Sequence, residues 1–234
     1  MVVTAVVFDL DGTLFDHHRS AREGLEAWLL ALGSPLTDDL TLAWFAAEKR
    51  HFTAWRQGDI TFAEQRRRRL REFLPLIDRS VGDDAELDET FVGFLNAYRG
   101  AWRGYDDVVS GLEAVHRFGL TTAVLTNGSE EQQRAKLAHL GLLKTIGPVF
   151  TAEALGAAKP SPRAFHAVCE HLGLSPSQAL YVGDDHAIDV QAARAAGMHA
   201  VLLDRLGVGP LAEPERITTL AELDDCIARV SGSC

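Results

Sequence analysis

Asp9 and Asp11, separated by one leucine, follow directly on the apolar run from Val2 to Phe8. Further along, Thr126-Asn127-Gly128 closes the run TTAVLTN, and Lys159 stands before Pro160 in a loop-like segment. Gly183-Asp184-Asp185 closes ALYVGDD, with Asp189 shortly after. Taken singly, each is ordinary, because Asp and Asn are favoured turn formers after a strand. Gathered in one cleft they are not. Asp9, Asp11 and Asp184 would crowd negative charge, and like charges at close range cannot all stay ionised without compensation. A divalent cation is the simplest compensation. An all-oxygen carboxylate set favours Mg2+ over zinc, and Mg2+ is commonly held by one or two carboxylates together with the phosphate oxygens of a substrate.

Such a set needs elements that bring distant residues to one place. Val2 to Phe8 is Val-rich and nearly free of polar residues, which predicts a strand buried on both faces, as in a parallel sheet covered by helices. The same pattern recurs at 121–127, 179–185 and 199–204, each reached through a helix-like segment. That alternation predicts an α/β fold with a doubly wound parallel sheet, whose ligands bind outside the carboxyl ends of the strands. Ser129 with Gln132 reads as a capping box opening a helix that ends at Gly141. Ser161-Pro162 reads as the start of another, with Phe165, Val168, Cys169 and Leu172 on one face. A last strand is expected near Ile217, followed by a helix through Leu220 to Val230.

Residues 18–103 read differently, with helical periodicity and no strand-like run, and predict an inserted four-helix unit inside a core made of 1–17 and 104–234. Leu25, Trp28, Leu29 and Leu32 repeat at helical spacing. Asp38 to Arg56 gives a second helix, Thr61 and Glu64 cap a third, and DDAELDE opens a fourth. The run Arg66 to Arg69 reads as a mainly solvated surface, since four consecutive helical positions cannot face one cleft. His17, His18 and Arg19 read as solvated residues at the join.

Bulk composition narrows the function. The 33 acidic and 23 basic side chains give a formal charge of −10, which argues against a nonspecific nucleic-acid or anionic-membrane binder. Cys169, Cys226 and Cys234 are odd in number and free of any C-x-x-C spacing, so neither a disulfide framework nor a zinc site is expected. The N-terminal apolar run breaks at Asp9, which predicts neither signal peptide nor membrane span, and a cytoplasmic location follows as the expectation.

The four ordered pieces D-L-D-G-T (9–13), T-N-G (126–128), K-P (159–160) and G-D-D-H-A-I-D (183–189) resemble those of the haloacid dehalogenase-like hydrolases. The resemblance covers the whole core, from near residue 3 to about residue 204. The helical insert resembles the cap of subclass I members, and GDITFAEQRRRR is similar to a stretch common in phosphatases of that subclass.

The resemblance implies a Rossmann-like core and a Mg2+-dependent phosphomonoesterase acting on a small phosphorylated metabolite, a nucleotide or sugar phosphate. Asp9 would be the nucleophile and Asp11 the proton donor and acceptor. The Asp9 carboxylate, the Asp11 backbone carbonyl and Asp184 would hold the metal. Thr126 and Asn127 would bind phosphate oxygens, and Lys159 would neutralise the nucleophile and the transferring group. Asp185 and Asp189 compete for the supporting acidic position, and spacing favours Asp189. A hydrolytic dehalogenase, a phosphomutase and a non-catalytic interaction protein are the alternatives. Asp11 weighs against the first, because family dehalogenases usually lack the second aspartate. No nucleic-acid or membrane partner is expected, and the chain is expected as a monomer or homodimer.

Overall fold

A run of small and β-branched apolar residues makes β1 (Ala5–Phe8), every residue of which is buried. The computed structural model in which it lies describes residues 2–230 and 232, so Cys234 is outside the described residues. The chain divides into two compact units, Met1–Asp16 with Arg103–Cys234, and His17–Trp102.

The discontinuous unit is built on a six-stranded sheet in the order β3-β2-β1-β4-β5-β6. Its other strands are β2 (Thr121–Thr126), β3 (Val149–Thr151), β4 (Ala179–Gly183), β5 (His199–Leu203) and β6 (Arg216–Ile217), and each pairing is parallel. Phe8 pairs with Val124 on one side and Val182 on the other. The strand order reverses between β1 and β4, which opens a crevice at their carboxyl ends, where such sheets bind ligands. The helices of this unit are α5 (Val108–Arg117), α6 (Glu130–His139), α7 (Ala152–Leu155), α8 (Pro162–Leu172), α9 (Ala192–Ala195) and α10 (Leu223–Val230). Phe165, Val168 and Cys169 of α8 pack with Val7, Ala123, Leu125 and Tyr181 in one buried core. Fully buried, Val7, Leu125, Phe165 and Val168 are each worth roughly 1.5–3 kcal/mol.

Two expected helix starts are made differently from the reading of the sequence. Ser129 makes no side-chain cap for α6, and the Glu130 N–H donates instead to Glu153 Oε2 at 2.7 Å. Ser161 likewise caps α8 without a side-chain bond, the first-turn proline having removed one of the orphan donors. The sequence does not predict β3, because three residues of Val-Phe-Thr are too short for a period to show.

The inserted unit holds α1 (His17–Ala31), α2 (Asp38–Gln57), α3 (Phe62–Phe73) and α4 (Asp84–Gly100). Thr61 accepts from the Glu64 N–H, and Asp83 and Glu86 cap each other's backbone, so α3 and α4 begin at the acidic signals in the sequence. Trp28, Trp44, Phe73, Phe91, Phe94 and Tyr98 form its buried aromatic core. Arg69 departs from the solvated-surface reading of its run. It is buried, lies 4.5 Å over the Trp44 ring, and donates to Glu48 Oε2 at 2.7 Å. Glu48 also bonds His17, whose other ring nitrogen meets the Tyr98 hydroxyl at 2.8 Å, so His17 is tied into the unit. The paired charge and the aromatic face offset the cost of burying a guanidinium. Among the described residues no helix is long and apolar enough to cross a membrane.

Candidate active site

Asp9 is the first residue beyond β1, and its N–H donates to the Val182 carbonyl at 2.9 Å, which fixes it at the β1/β4 crevice. Its carboxylate is buried, and Oδ1 accepts from Lys159 Nζ at 2.5 Å. The same ammonium donates to Asp189 Oδ1 at 2.6 Å and to the Tyr181 hydroxyl at 2.8 Å, and Lys159 is only 2% exposed. Burial pushes the Asp9 carboxyl up to about 7, against the pull of the Lys159 charge. Burial acts against the Lys159 ammonium as well, yet Asp189 and Asp9 outweigh it and hold Lys159 well above the ordinary lysine range.

The loop that carries Lys159 is held by Asn127. Its side-chain amide donates to the Lys159 carbonyl at 2.9 Å and its side-chain oxygen accepts from the Lys159 N–H at 2.8 Å. The Asn127 side chain thus positions the lysine, while Thr126 Oγ1 accepts from Gln133 at 2.6 Å.

Asp184 stands at the solvent side of the cluster. Loss of water around its carboxyl, with Asp9 and Asp189 adding repulsion, raises it well above the usual carboxylate range. Oxygen atoms of Asp9, Asp184 and Asp189 lie within 4.8 Å of one another. Three carboxylates face one ammonium there, an excess of negative charge that a divalent cation would offset. Hard carboxylate oxygens are donors of the kind Mg2+ takes. Two glycines permit the crowding: a Cβ on Gly12, whose φ is +92°, would lie 2.2 Å from Asp184 Oδ2, and one on Gly183 would lie 2.5 Å from the Asp189 carboxyl carbon.

Asp11 is held apart from that group. Its Oδ1 accepts from Lys136 Nζ at 2.5 Å and its Oδ2 from Gln133 Nε2 at 2.8 Å, both on α6.

A family model described as haloacid dehalogenase-like hydrolase matches residues 3–197. The chain belongs to the haloacid dehalogenase-like hydrolases. A phosphatase of Mycobacterium tuberculosis is 34% identical over 213 residues, covering 88% of this chain and 90% of that protein. A glyceraldehyde 3-phosphate phosphatase of Methanopyrus kandleri is 27% identical over 208 residues, 87% of this chain and 85% of its own. The fold matches that of the HAD-hydrolase YfnB of Bacillus subtilis, solved bound to magnesium, with a TM-score of 0.83 at 21% identity over 97% of this chain and 99% of that one.

Within this hydrolase the two acidic candidates after Asp184 have separate places. Asp185 turns its carboxylate onto the Ala187 and Ile188 N–H groups, both at 2.9 Å, and so caps the one-turn π-helix His186–Gln191. Asp189, inside that turn, reaches Lys159 and accepts from the Asp185 N–H at 3.0 Å. Tyr181, Gln133 and Lys136 were missed by sequence reasoning. Tyr181 sits in an apolar strand and reads as core. Gln133 and Lys136 lie three apart, the spacing of one helix face, which is the signal that could have paired them.

Proposed function

We propose that this hydrolase is a Mg2+-dependent phosphomonoesterase for a small phosphorylated metabolite, a nucleotide or sugar phosphate. The observation that carries the reading is the pairing of a buried Asp9, aimed by Lys159, with a second aspartate two residues on whose carboxylate is held separately. Asp9 attacks phosphorus, the bond from phosphorus to the ester oxygen breaks, and Asp11 gives its proton to the departing alkoxide. A water then attacks the aspartyl phosphate, loses its proton to Asp11, and releases phosphate and free Asp9. Lys159 balances charge on Asp9 and the transferring group, while Thr126 and backbone donors at the Asn127 turn bind phosphate oxygens. The Asp9 and Asp184 carboxylates and the Asp11 carbonyl would hold the metal, with Asp189 supporting. Bound there, Mg2+ screens the repulsion between a carboxylate nucleophile and an anionic phosphate.

The inserted unit takes the role of cap in this reading, and a cytoplasmic setting suits the free, buried Cys169 and Cys226 of the sheet-bearing unit. Hydrolytic dehalogenation needs no proton donor for its leaving halide, so the tethered Asp11 favours phosphate esters. The test is phosphate release from a panel of phosphomonoesters, with Mg2+ and with chelator, for wild type and Asp9→Asn. Hydrolysis lost on chelation and in the variant is expected; full Mg2+-dependent activity in Asp9→Asn would overturn the mechanism.

A further inference from the structure

Both oxygens of the Asp11 carboxylate are gripped from one helix. Lys136 Nζ takes Oδ1 and Gln133 Nε2 takes Oδ2, and the two donors are three residues apart on α6, hence neighbours on one face. Each donor residue is only 2% exposed. The Asp11 side chain, by contrast, is 28% exposed, so buried donors hold a carboxylate that part-way meets solvent. Gln133 Nε2 also lies 2.6 Å from Thr126 Oγ1 and 3.2 Å from the Asn127 carbonyl, which ties the grip to the end of β2. The Lys136 ammonium lies 4.7 Å over the Phe15 ring, and Phe15 is bridged through its backbone to Asp11. A buried lysine is costly unless it is paired, and here the pairing falls on the carboxylate to which the reaction assigns proton transfer.

We propose that Lys136 and Gln133 are positioning residues for Asp11, a two-point clamp that sets where its carboxylate stands relative to the ester oxygen. The inference rests on the phosphomonoesterase reading, because it concerns the proton that Asp11 carries in that reaction. Proton transfer demands hydrogen-bond reach, and misplacement by about 1 Å can cost about 100-fold. The clamp therefore matters most when the leaving group needs a proton.

The experiment compares kcat/KM for the nucleotide or sugar phosphate hydrolysed fastest in the panel above, whose alkoxide must be protonated, with that for 4-nitrophenyl phosphate, whose phenolate leaves without a proton. Lys136→Met is expected to lower the first about 10- to 100-fold and the second by less than about threefold. Lys136→Arg should recover part of the loss. In an Asp11→Asn background, Lys136→Met should change neither value by more than about twofold, since a residue acting through Asp11 has nothing left to position. Gln133→Leu, which leaves the buried ammonium paired, serves should Lys136→Met fail to fold; because it also frees Thr126, it is read from the ratio of the two esters, which should fall about 10-fold. Equal losses for both esters, or an undiminished loss in the Asp11→Asn background, would mean a merely structural lysine and overturn the proposal. Unchanged kcat/KM in a folded variant would do the same while leaving the phosphatase reading intact. Wild type inert toward every ester of the panel would overturn that reading, and the clamp with it.

Discussion

Asn127 and Lys159, 32 residues apart in the chain, exchange two hydrogen bonds between the asparagine side chain and the lysine backbone, at 2.9 and 2.8 Å. The pair welds the end of β2 to the loop that delivers the ammonium, so the aim of Lys159 at Asp9 depends on a side chain that need not touch phosphate at all. Replacing Asn127 with alanine should remove about 2 kcal/mol, at about 1 kcal/mol per net bond, and lower kcat more than this loss of stability alone would. Asn127→Asp keeps the acceptor for the Lys159 N–H and loses the donor, so its unfolding midpoint in urea should fall between those of wild type and Asn127→Ala.

Lys159 neutralises Asp9 and Asp189 together, with Nζ at 2.5 and 2.6 Å from their oxygens. Lys159→Met leaves two buried carboxylates facing each other, and losing one partner of a buried pair costs about 3–5 kcal/mol. Activity should vanish and the thermal midpoint should drop. Adding Asp189→Asn removes one of the stranded charges, so the double variant should be more stable than Lys159→Met while remaining inactive. Calorimetry of the three proteins checks the order.

Acid should unlock Glu213. Its carboxylate, 2% exposed, accepts from Arg194, the Glu215 N–H and His186, and these bonds lower it from 4.5 to about 2. A carboxyl lowered on folding contributes stability that is fully present above its unfolded value and lost as pH falls toward its folded value. The contribution, about 2 kcal/mol once the partial exposure of Arg194 is allowed for, should therefore be constant above about pH 5 and fade between about pH 4.5 and 2. Urea titrations of wild type and Glu213→Gln across that range should show the gap between them closing as the solution is acidified; a gap independent of pH would refute the assignment.

The central strands were legible because a strand covered on both faces must be apolar along its whole length, and Val2 to Phe8, 179–185 and 199–204 have that signature. The helical insert was legible through period and caps at Thr61 and Asp83. Three-residue β3 carried too few positions for any period. Arg69 looked like its exposed neighbours because the Trp44 face and Glu48 that make its burial tolerable come from another helix.

What the sequence determined by itself was local: apolar runs that must be strands, polar residues at their carboxyl ends, and a set of residue types, Asp9, Asp11, Thr126, Asn127, Lys159, Asp184 and Asp189, suited to metal-assisted phosphate chemistry. Backbone periodicity and turn chemistry are properties of neighbours in the chain, so they can be read there. Only the tertiary structure decided who holds whom. It gave Asp185 to its own helix turn and Asp189 to Lys159, and it set Lys136 on Asp11 across 125 positions of chain. Those choices follow from strand order and helix docking, which bring together side chains whose separation along the chain carries no trace of their contact.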